Sequence, residues 1–199
     1  LEKIILVDVD GVLLDWNAGF CNWMDKQGFP FIPGTEHEYA IEKRHENVTF
    51  TQARKLIEEF NTSDELRTLQ PNKDSQEFVA KLVDEGFRFI AVTAVSDDPV
   101  AGINRRYNLE QVFGDIFDEI HCTPLGESKQ VILRENWGGT GLIWIEDHFK
   151  NAEAGYEEGL RSVLVDTPYN RHFMTDLFPR VDAEKPWADI YKIVHDLYR

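Results

Sequence analysis

Ile4-Ile5-Leu6-Val7-Asp8-Val9-Asp10-Gly11-Val12 is the stretch that decides the fold. Its first four residues are apolar and mostly β-branched. A short run of this kind reads as a strand buried on both faces of a parallel sheet. The run ends abruptly in two aspartates, at the mouth of the strand where open α/β sheets hold their ligands. Period-two alternation turns Asp8 and Asp10 toward one side and Val9 toward the other. Gly11 permits a sharp turn directly afterwards. Two carboxylates this close repel each other unless they share a proton or a cation. The pair therefore reads as a magnesium site, an acid/base pair, both, or turn aspartates capping the next helix.

Three more polar signals follow, each just after a strand-like stretch or at a helix start. Thr93 ends Phe89-Ile90-Ala91-Val92-Thr93, Lys129 lies in Gly126-Glu127-Ser128-Lys129, and Glu146-Asp147 follows Leu142-Ile143-Trp144-Ile145. A lysine in the first turn of a helix opposes the helix dipole, so its place at residue 129 favours a chemical role over a solvated surface one. In this order the set resembles the haloacid dehalogenase superfamily of phosphohydrolases, and the match spans residues 4–151.

The resemblance implies roles residue by residue. Asp8 would attack phosphorus, and Asp10 would protonate the leaving oxygen and later activate water. The residues alone do not say which aspartate attacks. Thr93 would offer a hydroxyl and a nearby N–H to the phosphoryl oxygens. Lys129 would neutralise phosphoryl charge and keep Asp8 ionised. Asp8, Asp147 and the Asp10 backbone carbonyl would hold Mg2+. Glu146 departs from the family, which usually has aspartate first in this pair, so the longer side chain is expected in the outer shell. Asn151 would orient Asp147 or merely start a helix.

Within the superfamily, Asp8 through Phe20 is most similar to the deoxyribonucleotidase-like phosphatases. That likeness implies a nucleoside monophosphate substrate, with Trp16 near the base and Phe20 and Ala94 also lining the substrate site. Trp16 fits equally well on an apolar helix stripe with Leu13, Phe20, Trp23 and Met24. Ala94 is a second departure, because several of those enzymes carry a hydroxyl or polar residue there.

The remaining pattern predicts an α/β fold, a Rossmann-like parallel sheet with helices on both faces. Strands are expected at Phe87–Val92, Ile116–Cys122, Leu142–Ile145 and Ser162–Val165. Helices are expected at Leu13–Gln27, His37–Glu46, Thr51–Phe60 with Thr51 as N-cap, and Asp74–Glu85. A further helix opens at Asp98-Pro99 and runs toward Asn108, with a short one to follow over Leu109–Phe113. Others are expected from Ser128 and Asn151, and in the tail from Pro186. Residues 15–70 carry no strong β signal and are expected to form a small helical cap. Residues 1–14 and 71–199 would then form the catalytic core.

At 199 residues, 42% of them hydrophobic, the chain can bury one sizeable core. A formal charge of −15 disfavours duplex nucleic acid as a partner, while a bound cation and one lysine still admit a small phosphorylated substrate. No apolar run approaches membrane-spanning length, and no signal peptide is visible. Cys21 and Cys122 read as free thiols of a reducing cytoplasm.

Two rival classes fit less well. A haloacid dehalogenase proper would lack the second acid, and a phospho-accepting signalling module would place its phosphorylated Asp before Thr and Lys rather than its last acids after Lys129. Other readings stay open: a phosphatase of another small metabolite or of nucleic-acid 3′-phosphate ends, or a silent phospho-ligand binding protein on the same fold.

Overall fold

The computed structural model describes residues 2–199. Strand β1 (Ile4–Val7) lies at the centre of a six-stranded sheet with β2 (Arg88–Ala94), β3 (Phe117–Thr123), β4 (Ile143–Glu146), β5 (Arg161–Val165) and the two-residue β6 (Arg180–Val181). The order is β3-β2-β1-β4-β5-β6 and every pairing is parallel. The helices are α1 (Trp16–Lys26), α2 (Ile41–Arg44), α3 (Phe50–Thr62), α4 (Ser75–Asp84), α5 (Pro99–Phe113), α6 (Gln130–Trp137), α7 (Phe149–Glu157) and α8 (Pro186–Leu197), with a 3-10 turn at Asp64–Thr68.

The unbroken apolar run of β1 follows from burial on both faces. Ile5 and Val7 pack with Leu82 of α4 and with Trp187 and Ile190 of α8. Leu6 points the other way, to Ile90, Leu133 of α6 and Trp144. Such two-sided cover removes any need for polar alternation along the strand.

The insert between β1 and α4 departs from the expected helix bounds. Leu13 lies in the turn after β1 and Leu14 in an isolated bridge with Pro71; both are fully buried and neither is helical. They form a stem with the returning chain: Asp15 N–H donates to Gln70 O (2.9 Å) and Asn72 N–H to Leu13 O (2.8 Å). Helix α1 therefore starts only at Trp16, where the Asp15 side chain accepts from Ala18 N–H at 3.0 Å. The helix expected over 37–46 shrinks to Ile41–Arg44. Thr49, not Thr51, caps α3, through a capping box with Gln52 that satisfies otherwise orphaned N–H groups at both residues. Phe20, Phe60, Leu66 and Leu69 of the insert join the same buried cluster as β1.

Elsewhere α5 runs unbroken from its Asp98 cap to Phe113 instead of stopping near Asn108. Strand β6, which the sequence pattern did not foretell, extends the sheet edge by two residues. Among the described residues no helix is long and apolar enough to cross a membrane.

Candidate active site

From β1 the chain winds outward through β2 to β3 on one side, and from β4 through β5 to β6 on the other. The strand order reverses between β1 and β4, and that switch point opens a crevice at their carboxyl ends. Asp8 follows β1 and Asp147 follows β4, so both acids stand at its rim. The Asp8 N–H donates to Ile145 O at 2.9 Å and locks the two strand ends together.

Lys129 is the hub of this crevice. Its side chain is 2% exposed, and Nζ lies 2.7 Å from Asp8 Oδ1 and 2.9 Å from Glu146 Oε2. It stands at the N-cap of α6, one residue earlier than expected for the first turn, and Ser128 Oγ accepts from Gln130 N–H. Burial disfavours its charge, but Asp8 and Glu146 more than offset that and hold its pKa above the ordinary lysine value. The Asp8 carboxyl is pushed up to about 7 by burial and by Glu146, against the pull of Lys129.

Glu146 has both oxygens engaged. Oε2 accepts from Lys129, and Oε1 accepts from the N–H groups of Asp147 (3.1 Å) and His148 (2.9 Å). Burial would raise its pKa, yet Lys129 and these bonds hold it below the ordinary value. The longer side chain thus reaches back to orient Lys129 and cap the loop after β4.

Asp147 is clamped by the loop after β5. Tyr169 Oη donates to its Oδ2, and Asn170 Nδ2 donates to its backbone carbonyl at 2.7 Å. Gly11 explains itself here: its φ is +75°, and a Cβ at that position would lie 2.0 Å from Asp147 Oδ2. Burial, Glu146 and Asp8 raise the Asp147 pKa well above the usual carboxylate value. Asp8, Glu146 and Asp147 each present an oxygen within 4.8 Å of the others. An all-oxygen donor set in which burial and mutual repulsion raise the Asp8 and Asp147 pKa values fits a hard divalent cation such as Mg2+. With Glu146 committed to Lys129 and the backbone, Asp8 and Asp147 are the carboxylates left to hold it.

Asp10 lines the same cleft but takes a different partner. Its Oδ2 accepts from Arg105 Nη2 of α5 at 2.6 Å, and its Oδ1 is buried without a partner. Burial raises its pKa to about 6, against the pull of Arg105. Thr93 is fully buried and its hydroxyl has no partner; Ala94, one residue on, lines the cleft instead.

The cleft, about 210 Å3, continues into the insert along Trp16, Asn17, Tyr39, Ile41, Arg44, Ile57 and Asn61. Trp16 stacks on Phe20 with ring centroids 4.5 Å apart, and its Nε1 donates to Asn61 Oδ1 at 3.0 Å. Phe20 is a correction to the sequence reading. It is fully buried beneath Trp16, against Trp23 and Phe60, with no surface to offer a ligand. Arg105, Tyr169, Asn170, Tyr39 and Arg44 escaped the sequence reading. The one available signal was Asp166-Thr167-Pro168-Tyr169-Asn170, a polar turn closing a strand on the same sheet edge.

The fold and this order of site residues define the class, a haloacid dehalogenase-type phosphohydrolase. Two solved structures share the architecture. One is a hydrolase of the haloacid dehalogenase-like family from Streptococcus pneumoniae (TM-score 0.66, 14% identity, covering 96% of this chain and 97% of that one). The other is CbbY from Rhodobacter sphaeroides, solved in complex with phosphate (TM-score 0.60, 18% identity, 90% and 93% covered). At those identities the likeness is one of fold.

Within the class, the chain belongs to the family "5' nucleotidase, deoxy (Pyrimidine), cytosolic type C protein", whose model matches residues 2–197. It is also 32% identical over 139 residues to an uncharacterized 32.4 kDa protein of the Gp30-rIII intergenic region of Enterobacteria phage T4. That match covers 68% of this chain and 50% of the phage protein, so the chain spans about half the length of this relative.

Proposed function

We propose that the protein is a magnesium-dependent phosphomonoesterase acting on nucleoside monophosphates through an aspartyl-phosphate on Asp8. The observation that carries the reading is the fully buried ammonium of Lys129, 2.7 Å from Asp8 Oδ1 at the switch point of the sheet. A carboxylate whose ionised form a buried ammonium favours, at the base of an otherwise acidic crevice, is suited to attack an anionic electrophile. A divalent cation, which Asp8 and Asp147 would hold, would supply Lewis-acid polarisation of the phosphoryl group.

The chain's own residues do the rest. An Asp8 oxygen forms the bond to phosphorus while the ester P–O bond breaks, and the Asp10 proton passes to the departing oxygen. In the second step Asp10 takes a proton from water, whose oxygen attacks the phosphorus of the acyl phosphate. This returns the Asp8 carboxylate and releases phosphate. Lys129 and the Thr93 hydroxyl, which has no partner among the described residues, offset charge on the phosphoryl oxygens.

Residues 15–70 act as the cap. The stem at 13–15 and 70–72 supports that boundary, and Trp16 and Tyr39, which both line the cleft, offer aromatic surface suited to a base. The free, half-buried thiols of Cys21 and Cys122 fit a reducing cytoplasm. The test is phosphate release, with and without Mg2+, from deoxy- and ribonucleoside monophosphates, sugar phosphates, p-nitrophenyl phosphate and 3′-phosphorylated oligonucleotides. The proposal expects Mg2+-dependent turnover with nucleoside monophosphates leading. Preference for another class would overturn the substrate, and no turnover of any would overturn the enzyme.

A further inference from the structure

Helix α5 buries an unusual face. Ala101, Asn104, Arg105, Asn108 and Leu109 lie at helical spacing on the inward stripe, and three of the five are polar. Two have plain structural work. Asn104 accepts from Arg67 Nε at 2.8 Å and donates to Ser63 O at 2.9 Å, and Asn108 donates to Leu69 O at 3.0 Å, so both pin the foot of the insert. Arg105 does neither. Its side chain has no solvent exposure, and among the described residues Asp10 is its one carboxylate partner, at 2.6 Å. Its Nε and Nη1 donors are buried with no partner.

A buried ion pair is weak evidence of stability, because desolvating both ions offsets their attraction, and orphaned donors add to the cost. An apolar side chain at the same inward position would serve packing better. The pair instead fixes a carboxylate that the loop at Gly11 would otherwise leave free to rotate.

We propose that Arg105 is the positioning residue for Asp10, holding its carboxyl where it can pass a proton to the departing ester oxygen. The inference rests on the phosphomonoesterase reading above. Arg105 touches neither substrate nor phosphorus; it acts through Asp10, and its loss leaves the Asp8–Lys129 chemistry in place. The consequence is selective. A leaving group that departs without a proton, such as p-nitrophenolate, does not need Asp10 held in place, whereas the sugar alkoxide of a nucleotide does.

The experiment follows release of the leaving alcohol in single turnovers with excess enzyme and Mg2+, which reads only the first step. Arg105→Met is expected to slow nucleoside monophosphate cleavage about tenfold or more, within the range of lost general-acid catalysis. The p-nitrophenyl phosphate rate should change less than about threefold, and half-saturation should hold for both. Arg105→Lys, which keeps a cation, should recover part of the nucleotide rate. In an Asp10→Asn background, adding Arg105→Met should change nothing further, because the two act as one unit. Equal losses on both substrates, a loss confined to half-saturation, or additive losses in the Asp10→Asn background would overturn the proposal. If Arg105→Met does not fold, Arg105→Lys decides: a nucleotide-selective loss supports the inference and a uniform one overturns it. A wild type that cleaves neither ester removes the phosphomonoesterase reading and this inference with it, whereas wild-type cleavage with uniform variant losses removes this inference alone.

Discussion

Replacing Lys129 with methionine keeps much of the side-chain volume and removes one charge from a site that can least spare it. In the native protein Nζ sits 2.7 Å from Asp8 and 2.9 Å from Glu146, all three side chains being buried. At an effective dielectric of about 20, an ion pair at that separation is worth about 6 kcal/mol before the desolvation of its members is subtracted. The net figure for breaking a buried pair by deleting one partner is about 3–5 kcal/mol, since the other charge stays buried. For a chain of this size about 1 kcal/mol corresponds to about 2–4 °C in Tm. Lys129→Met should therefore melt roughly 6–20 °C below wild type at pH 7.5 in chelator. The deficit should narrow toward pH 5.5, by up to about 1.4 kcal/mol per pH unit, because the folded variant, with Glu146 no longer held low by the ammonium, binds a proton more than the folded wild type does. Thermal melts by circular dichroism at the two pH values read both effects. Turnover of p-nitrophenyl phosphate should fall by about 10²–10³ through lost stabilisation of phosphoryl charge. A Tm within about 2 °C of wild type at both pH values would refute the argument, since it would mean that Asp8 and Glu146 do not depend on the ammonium.

Asp8→Asn should keep the fold and lose all but a trace of turnover, as an amide is a poor nucleophile and a poor magnesium ligand; substantial activity in the purified variant would reassign the nucleophile. Tyr169→Phe removes the donor that fixes Asp147 Oδ2, so the Mg2+ concentration for half-maximal activity should rise about 10–100-fold; an unchanged requirement would mean that the tyrosine does not orient this ligand. Trp16→Ala should slow nucleotide turnover roughly ten- to a hundredfold while sparing p-nitrophenyl phosphate, and equal losses would make Trp16 a packing residue. For the metal-free wild type the pH dependence has a definite sign. Asp8 is raised from 3.8 to about 7, so the folded state binds its proton more tightly than the unfolded one, and the stability this contributes is lost as pH rises through the folded value. His45 and His148, both lowered from 6.5, push stability the other way, but only below that value. From pH 6.5 to 8 the Tm in chelator should therefore fall, and Mg2+ should flatten the slope; a Tm that rises over that window would contradict the assignment.

The core of the fold was legible because parallel strands buried on both faces leave unbroken apolar runs, and Ile4–Val7, Phe89–Val92 and Ile143–Ile145 are such runs. The same logic placed Asp8, Lys129 and Asp147, since a polar residue that ends an apolar strand or opens the next helix lands at the carboxyl edge of the sheet. The insert was less legible. Leu13 and Leu14 satisfy a helical apolar stripe and a buried turn into a stem equally well, and only the return of the chain at Gln70 and Asn72 decides between them. Phe20 failed for a related reason. The likeness over Asp8 through Phe20 put it in the substrate site, but at four residues past Trp16 it falls one turn further along the same helix face, and stacking leaves the first ring at the cleft and the second in the core.

Arg105 shows where hydrophobic periodicity stops carrying information. A reading by period asks which residues are apolar at helical spacing, and the inward stripe of α5 answers with Ala101 and Leu109 alone. Asn104, Arg105 and Asn108 between them look like a solvated face, yet all three are buried. What reverses the helix is tertiary: the backbone carbonyls at Ser63 and Leu69 and the carboxylate of Asp10 supply acceptors that water would otherwise provide. Each of those acceptors is 39 or more residues away in sequence, so none of them leaves a mark on the local pattern. A polar helix stripe is therefore ambiguous until its acceptors are known, and here the acceptors are the foot of the insert and the second aspartate of the opening motif.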